Sequence, residues 1–240
     1  MIDWTEYARP EFGYAVLVTA IGGFLNGFTG FGSSLVMIPL LTFIYGPAEA
    51  VAVGIGLAAL GYVMLFPDAA RGAHWPDVIP AGLMGFIFVP IGLILLFITD
   101  PYITRRLMGA LVIIRGWNYN GPRNTLTSVV AGSFTGFTTG FFGMGAAGAT
   151  IYFLSGTIRA AVQRANIVIL LGVMAALAMI GVALGGGADM GALILGVVLI
   201  LPFALPTWAG AWLFRRASNE LYRQVCLWLL IIMGLAVIVL

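Results

Sequence analysis

The sequence predicts an all-α integral membrane protein of two inverted repeats, each a re-entrant Gly-rich helical hairpin plus three transmembrane helices. Three observations lead to this prediction: an apolar composition, blocks long enough to cross a membrane, and a Gly-rich segment that occurs twice. The chain of 240 residues is 61% hydrophobic and 8% charged, with a mean hydropathy of +1.07. Soluble domains rarely combine so many apolar side chains with so few charges.

The first element is an apolar stretch, residues 12–45, that is too long for one ordinary span. As a single helix it would measure about 50 Å at 1.5 Å per residue. Within it GGFLNGFTGFGSSLVMIPLL, residues 22–41, carries five glycines. The apolar pieces on either side have about a dozen residues, about half of what a span needs. The sequence therefore predicts a hairpin over 12–45 whose second half-helix starts near Ser33.

Three spans are predicted after this hairpin. The blocks 48–66 and 78–98 meet the requirement of roughly 20 apolar residues for a crossing. The third, 102–119, is less apolar because Arg105, Arg106 and Arg115 lie in it, so their stems must extend toward the interfaces. These elements form the first repeat, residues 1–114, and the polar stretch RGWNYNGPRNT, residues 115–125, is a linker.

The second repeat, residues 126–240, follows the same plan. Its hairpin is predicted over 126–154, and its spans over 162–184, 191–214 and 222–240. When the two Gly-rich segments are aligned without a gap, their glycines and phenylalanines coincide repeatedly, which indicates a duplication. The coincident pairs are Gly23/Gly136, Phe24/Phe137, Gly27/Gly140, Phe28/Phe141, Gly30/Gly143 and Gly32/Gly145.

The arginines indicate the orientation. With re-entrant hairpins the two repeats are inverted, and eight arginines lie on one side of the membrane against three on the other. With fully crossing Gly-rich regions the repeats are parallel, and the division is seven to four. The positive-inside rule favours the inverted arrangement. Both arrangements place both termini on the non-cytoplasmic side.

The Gly-rich breaks are the candidate binding site. A half-helix that starts at such a break presents backbone N–H groups and a partial positive charge, which suit an anion. Two inverted hairpins that meet tip to tip would direct both sets of donors at one volume near the midplane. The candidate residues are Asn26, Thr29, Gly30, Phe31, Gly32, Ser33 and Ser34 in the first break, and Thr139, Gly143, Met144, Gly145 and Ala146 in the second.

Several other residues have a functional or a structural interpretation. Arg164 is either a fixed counter-charge for the anion or, as we favour, an anchor on the cytoplasmic side, and Asn166, one turn deeper, is the better polar candidate. The pairs Gly23/Gly27 and Gly136/Gly140 are expected to serve close helix packing. His74 is expected to be an ordinary loop residue.

The composition argues against several classes of function. A single cysteine, Cys226, and a single histidine provide no disulfide framework, metal cluster or catalytic triad, so we expect no enzyme and no cofactor. The scattered arginines form no basic face for nucleic acid. The sequence has no Walker motif, so a gradient rather than ATP would drive any transport.

Two segments resemble the signature of the TauE/SafE sulfite exporter family. These are GFLNGFTGFGSSLVMIP, residues 23–39, and GFTTGFFGMGAAG, residues 136–148, and ARGAHWPDVIPAGLMG, residues 70–85, is similar to the family's basic loop. Where family members often have three successive glycines, this chain reads Gly32-Ser33-Ser34 and Gly145-Ala146-Ala147. The resemblance implies transport of sulfite, a sulfonate such as sulfoacetate, or a related small anion, in a bacterial inner membrane.

The function hypothesis is thus a secondary transporter that works by alternating access and holds its substrate at the midplane. Coupling to H⁺ or Na⁺ and assembly into a homo-oligomer are compatible with it. The alternatives are a passive anion channel, a carboxylate carrier of the same fold, and a membrane scaffold in which the glycines serve packing alone. Lipid is the expected environment in all four cases.

Overall fold

The computed structural model describes residues 10–100, 102–104, 106–107, 124–154, 159–185, 190–226 and 228–229. Every regular element in these ranges is helical. Most of the predicted span 102–119, most of the linker 115–125 and most of the predicted span 222–240 lie outside the described residues.

Nine helices, numbered here in chain order, make up most of the described chain. They are α1 Pro10–Thr29, α2 Gly32–Tyr45, α3 Pro47–Gly72, α4 Trp75–Ile98, α5 Thr125–Phe142, α6 Ala146–Phe153, α7 Ala160–Leu184, α8 Met190–Val198 and α9 Ile200–Phe214. Residues 219–226 are also helical. Among the described helices, α1, α3, α4 and α7 are long and apolar enough to cross a membrane.

The predicted span 191–214 is not one straight helix. Helices α8 and α9 form it together, bent by 41° at Leu199, and count as a fifth possible span if taken as one. Pro202 explains the bend, because its ring clashes with the carbonyl four residues earlier and it has no N–H to donate.

Both Gly-rich regions fold back on themselves. A Cβ added to Gly22 of α1 would meet the side chain of Met37 in α2, so residues about equally far from the break lie side by side. In the second region the Tyr152 hydroxyl of α6 lies 2.8 Å from the Ser128 hydroxyl of α5. Neither region is therefore an uninterrupted rod. Each is a pair of antiparallel helices.

The arms of these hairpins are unequal, and here the expectation of two half-length arms was wrong. Helix α1 has 20 residues and α5 has 18, about 30 Å and 27 Å long. Their partners α2 and α6 have 14 and 8 residues. The long arms run through the packing glycines without interruption and end only at Gly30 and Gly143, where φ is +84° and +67°.

The long arms pack across the repeats through one interface that occurs twice. A Cβ on Gly27 of α1 would overlap the Thr207 carbonyl of α9, and a Cβ on Gly140 of α5 would overlap the Val89 carbonyl of α4. Conversely, Gly210 of α9 faces the backbone of α1, and Gly92 of α4 faces the backbone of α5. The predicted packing role of these glycines is confirmed, since helix backbones approach closely only where no side chain intervenes.

Helices α3 and α7 form the centre of the described structure. They pack against each other, with Gly172 of α7 against the Tyr62 side chain, and their inner faces form much of the main apolar core. Each also contacts the tip of the other repeat's hairpin. Gly30 lies against Arg164 and Val168 of α7, while Gly143 lies against Val51 and Ile55 of α3. These two contacts use equivalent positions, because the alignment that pairs Gly30 with Gly143 also pairs 51 with 164 and 55 with 168.

Candidate functional site

The first break comprises residues 30–31, and its backbone is largely satisfied from within. The Gly30 N–H donates to the Asn26 carbonyl at 2.8 Å. The Thr29 hydroxyl donates to the Leu25 carbonyl at 2.7 Å and accepts from the N–H groups of Phe31 and Gly32 at 3.2 and 3.1 Å. The expectation that the N–H groups of the break are free therefore does not hold for Phe31 and Gly32. The backbone N–H groups of Ser33 and Ser34, in the first turn of α2, are the donors that remain.

The second break, residues 143–145, closes differently. The N–H of Gly143 donates to the Thr139 carbonyl at 2.9 Å, and the N–H of Met144 donates to the Thr138 carbonyl at 3.1 Å. Gly145 precedes α6 without a side-chain cap. The N–H of Ala146, at the first position of α6, has no acceptor among the described residues. This end of the short helix therefore keeps its donors and its partial positive charge.

A buried polar pair lies just after the first break, on the side that faces α3. The Ser33 hydroxyl donates to Oδ1 of Asn26 at 3.2 Å, and the phenol group of Tyr62 lies close to the same hydroxyl. Asn26 is fully buried, and its Nδ2 has no hydrogen-bond partner among the described residues. This amide therefore has two unused donors.

A small cavity lies between the second break and the first turn of α2, against the inner faces of α3 and α7. Its volume is about 10 Å³, close to the minimum that holds one water molecule. It brings together Ser34, Tyr62 and Thr139 with the backbone of Gly143 and Gly145. Its lining residues are Ser34, Ile55, Ala58, Tyr62, Thr139, Gly143, Gly145, Leu171 and Ala175, none of which carries a charge.

The hairpins overlap rather than meet tip to tip. A Cβ on Gly143 would meet the side chain of Ile38, two turns beyond the first break. Each tip also lies beside the first turns of the central helix from the other repeat, so the two tips stand near opposite ends of the α3 and α7 pair. The long arms of 20 and 18 residues cause this overlap, since each passes the level at which two half-length arms would end.

Arg164 is not an exposed anchor, and the interpretation that we favoured from the sequence was wrong. Its side chain is buried, only 5% exposed. Nη2 donates to the Gly27 carbonyl at 2.6 Å and Nε to the Phe28 carbonyl at 3.2 Å. The guanidinium also lies 4.3 Å above the ring of Phe214. Arg164 therefore brings its positive charge to the end of α1, beside the first break.

The C-terminus of α1 is completely capped by these contacts. The last four carbonyls of a helix receive no hydrogen bond from an N–H group of the same helix. Here the Asn26 carbonyl accepts from Gly30, those of Gly27 and Phe28 accept from Arg164, and the Thr29 carbonyl accepts from the Tyr222 hydroxyl at 3.0 Å. Arg164 and Tyr222 both belong to the second repeat, so these bonds fix the first tip to it.

Asn166 lies outside the cavity. Its Oδ1 accepts from the His74 N–H at 2.7 Å, between α3 and α4, and its Nδ2 has no partner among the described residues. His74 itself is half-exposed and lies 3.0 Å from the Asp77 carboxylate. Asn166 thus holds the α3–α4 junction against α7.

Sequence reasoning missed Tyr62 and Tyr222. Tyr62 was detectable, because it and Glu49 are the only strongly polar side chains of the predicted span 48–66. Buried tyrosine hydroxyls usually have a hydrogen-bond partner, so its position in the span marks a polar contact. Tyr222 gave no such signal, since a tyrosine at the start of a predicted span is typical of an interfacial anchor.

The described structure is thus that of a multi-pass helical membrane protein with two broken hairpins around a small, uncharged cavity. A model of the family described as Sulfite exporter TauE/SafE matches residues 15–237. The chain therefore belongs to this family, a family of membrane transporters, as its Gly-rich segments predicted. Comparisons with curated proteins and with solved structures gave no match.

Proposed function

We propose that this protein is a secondary transporter that moves a small sulfur-containing anion across the membrane by alternating access. Sulfite, a sulfonate such as sulfoacetate and related organic anions are the substrates that family membership suggests. The observation that carries the proposal is the cavity between the second break and the start of α2, which brings the N-terminal ends of both short helices to one volume. In membrane proteins, irregular backbone at depth is stable only where protein covers it or where it borders a polar cavity.

The donors around the cavity suit an anion. The cavity touches Ser34 near the start of α2 and Gly145 at the start of α6, so the positive ends of both short helices lie next to it. Hydroxyls of Ser34, Tyr62 and Thr139 add side-chain groups, and no described lining residue is acidic. Asn26, hydrogen-bonded to Ser33, has two further donors without acceptors and lies outside the cavity lining. An anion bound in the cavity would accept hydrogen bonds from the lining hydroxyls and the helix N-termini, and would reach the Asn26 amide after the cavity widens.

The size of the cavity supports alternating access over a permanent channel. At about 10 Å³ it holds at most one water molecule, so a sulfur oxyanion enters only after α2, α6 or the central pair shifts. The cavity therefore corresponds to a closed state of the transport cycle. An open pore for anions would need a continuous polar path, for which the described residues provide no lining.

The ion pair at the end of α3 supports the inverted arrangement of the repeats. Arg215, just after α9, lies 2.6 Å from the Asp68 carboxylate. Inverted repeats place the ends of α3 and α9 on the same side of the membrane, where this contact forms readily. Parallel repeats would place them on opposite sides.

Counterflow in liposomes tests the proposal. Purified protein is reconstituted into vesicles that contain unlabelled sulfite or methanesulfonate, and uptake of the labelled compound is followed. A carrier is stimulated by the internal substrate, whereas a channel shows no stimulation and gives anion currents. Short carboxylates serve as a second panel, since stronger stimulation by acetate or malonate would indicate a carboxylate carrier. Absence of exchange with every anion would contradict the transporter proposal.

A further inference from the structure

The charge balance around the breaks indicates which anions fit the proposed site. Each break joins the C-terminus of a long helix to the N-terminus of a short one. A helix end carries about half an elementary charge, negative at the C-terminus and positive at the N-terminus, so the two helix ends at each break nearly cancel. Because the helix ends nearly cancel, the guanidinium of Arg164 gives the surroundings of the first break a net charge of about +1. Arginine stays protonated in proteins.

No described carboxylate neutralises that charge directly. Asp68 is the acidic group that acts on Arg164, but Asp68 is paired with Arg215, and their charges offset each other. Tyr222 and Cys226, the other titratable groups that act on Arg164, are neutral in their protonated forms. The partners of the guanidinium are the carbonyls of Gly27 and Phe28 and the ring of Phe214. A buried charge without a counter-charge is costly, and an anion nearby reduces that cost.

The break of the second repeat contributes no such charge. In the alignment that pairs Gly30 with Gly143, the position equivalent to Arg164 is Val51, which packs against Gly143 as Arg164 packs against Gly30. Along α7 the backbone of Arg164 lies about 10 Å from that of Leu171, which lines the cavity, at 1.5 Å per residue, and the guanidinium extends away from Leu171. One cation thus serves a site built from both repeats.

We propose that the site binds anions that carry a single negative charge, such as bisulfite or a sulfonate, and rejects dianions such as sulfite and sulfate. This inference rests on the proposed function. Attraction to one fixed cation grows linearly with the charge of the anion, whereas the cost of removing an ion from water grows with the square of its charge. The second charge of a dianion is therefore desolvated without a matching cation, and the neutral hydroxyls and amides compensate for it only in part.

The experiment uses the chemistry of the probes themselves. Binding of methanesulfonate, sulfate and sulfite to the purified full-length protein is measured by thermal shift and by isothermal titration between pH 6 and pH 8. Methanesulfonate is a monoanion and sulfate a dianion throughout this range, while sulfite exchanges a proton with bisulfite near neutral pH. Total sulfite should bind about tenfold more weakly for each pH unit above the pKa of bisulfite. Methanesulfonate should bind equally at both ends of the range, and sulfate should not compete with it.

The outcomes separate this inference from the proposed function. Sulfate competing as well as methanesulfonate, or sulfite binding more tightly at pH 8 than at pH 6, would overturn the preference for monoanions and leave an anion transporter standing. Binding of none of the three probes, together with absence of counterflow, would overturn both.

Variants of Arg164 provide the second measurement. Arg164→Gln should weaken methanesulfonate binding by roughly fivefold, the effect of one charge somewhat more than 10 Å away in a protein interior. Arg164→Lys keeps the charge and should retain the preference for methanesulfonate over sulfate even if the protein is less stable. Arg216→Gln makes the same change at an exposed arginine that lies over Trp212, and should leave binding unchanged. Unaltered binding in a folded Arg164→Gln protein would contradict the role of this charge.

Discussion

Gly30 and Gly143 are the residues at which the two long helices stop, and each has a backbone conformation that other residues rarely adopt. Their φ values are +84° and +67°. A residue with a side chain loses roughly 1–2 kcal/mol of stability when its backbone adopts the left-handed conformation. A Cβ on Gly30 would also lie only 2.9 Å from the Val168 side chain and 3.1 Å from Cγ of Arg164. These two glycines are therefore required by the backbone itself.

Gly30→Ala should lower the free energy of unfolding by about 2 kcal/mol or more, because the left-handed strain and the contact with α7 add together. Gly82→Ala is the matched control, since Gly82 is inside α4 with no atom within 4 Å of an added Cβ. That change should stabilise the protein by up to about 1 kcal/mol through helix propensity. Thermal unfolding of the purified proteins measures both. Equal unfolding temperatures for the two variants would show that the first break tolerates a side chain.

Asn26→Leu should weaken binding of methanesulfonate by roughly tenfold, because it removes the two amide donors that have no acceptor in the described structure. Thr19→Val is the control, since Thr19 is also fully buried in α1 with an unpaired hydroxyl in the described part of the chain. Removing that hydroxyl should leave binding unchanged and should not destabilise the protein. Isothermal titration measures both variants. If Thr19→Val weakens binding as much as Asn26→Leu, the Asn26 amide is not a specific donor.

Single residues were predictable where the backbone alone determines them. Gly30 and Gly143 were found because crowded glycines mark a helix break whatever surrounds them. The role of Arg164 was not predictable, because its partners Gly27 and Phe28 lie in the other repeat and an arginine at a helix start is typical of an anchor. The position of Tyr62 close to Ser33 likewise depends on how α3 packs against α2, which no local pattern encodes.

At the scale of the helices, glycine either allows close packing of two helices or ends a helix. Gly27 and Gly140 continue a helix and admit a neighbouring backbone, whereas Gly30 and Gly143, three residues later, end it. The sequence predicted both roles, but the half-length arms were wrong because the packing glycines were counted as part of the break. A glycine costs a helix only about 1 kcal/mol, and close packing against α9 or α4 offsets that cost.

Gly27→Ala and Gly140→Ala should destabilise the protein to a similar extent, by about 2–4 kcal/mol, as overpacking in a close-packed interior does. In both cases the added Cβ meets backbone, 2.8 Å from the carbonyl carbon of Thr207 and 2.9 Å from the N of Leu93 respectively. Two helices must then separate. Gly13→Ala is the control in α1, because an added Cβ there has no neighbouring atom within 4 Å. It should be nearly neutral in thermal unfolding. A large difference between Gly27→Ala and Gly140→Ala would argue against equivalent interfaces.

At the scale of the whole molecule, helices of one predicted repeat pack against helices of the other. Helix α1 packs on α9, α5 packs on α4, and α3 packs on α7, so each of these contacts joins one repeat to the other. The glycine contacts of the two hairpins recur at equivalent positions, and Gly210 of α9 makes the contact that Gly92 makes in α4. The sequence predicted a duplication but not this exchange of partners, since periodicity reports which face of a helix is apolar and not which helix covers it.

The inverted arrangement makes a prediction about loops that are equivalent in the two repeats. Gly72 ends α3 and Leu184 ends α7, so inverted repeats place them on opposite sides of the membrane and parallel repeats place them on the same, non-cytoplasmic side. Gly72→Cys and Leu184→Cys are made separately in a Cys226→Ala background, because Cys226 is the chain's single cysteine. Gly72 is exposed and an added Cβ meets only Ala165 at 3.6 Å, while Leu184 is 85% exposed.

In intact cells a membrane-impermeant maleimide should label Leu184→Cys and not Gly72→Cys, and after permeabilisation it should label both. Labelling of both cysteines in intact cells would establish parallel repeats. The contact between Asp68 and Arg215 could then not form in the membrane, because parallel repeats separate the ends of α3 and α9 by the whole bilayer.

The double variant Asp68→Asn/Arg215→Gln gives an independent check. With the ends on one side, this exposed pair contributes at most about 1 kcal/mol, so the variant should fold, and keep the labelling pattern, as the parent does.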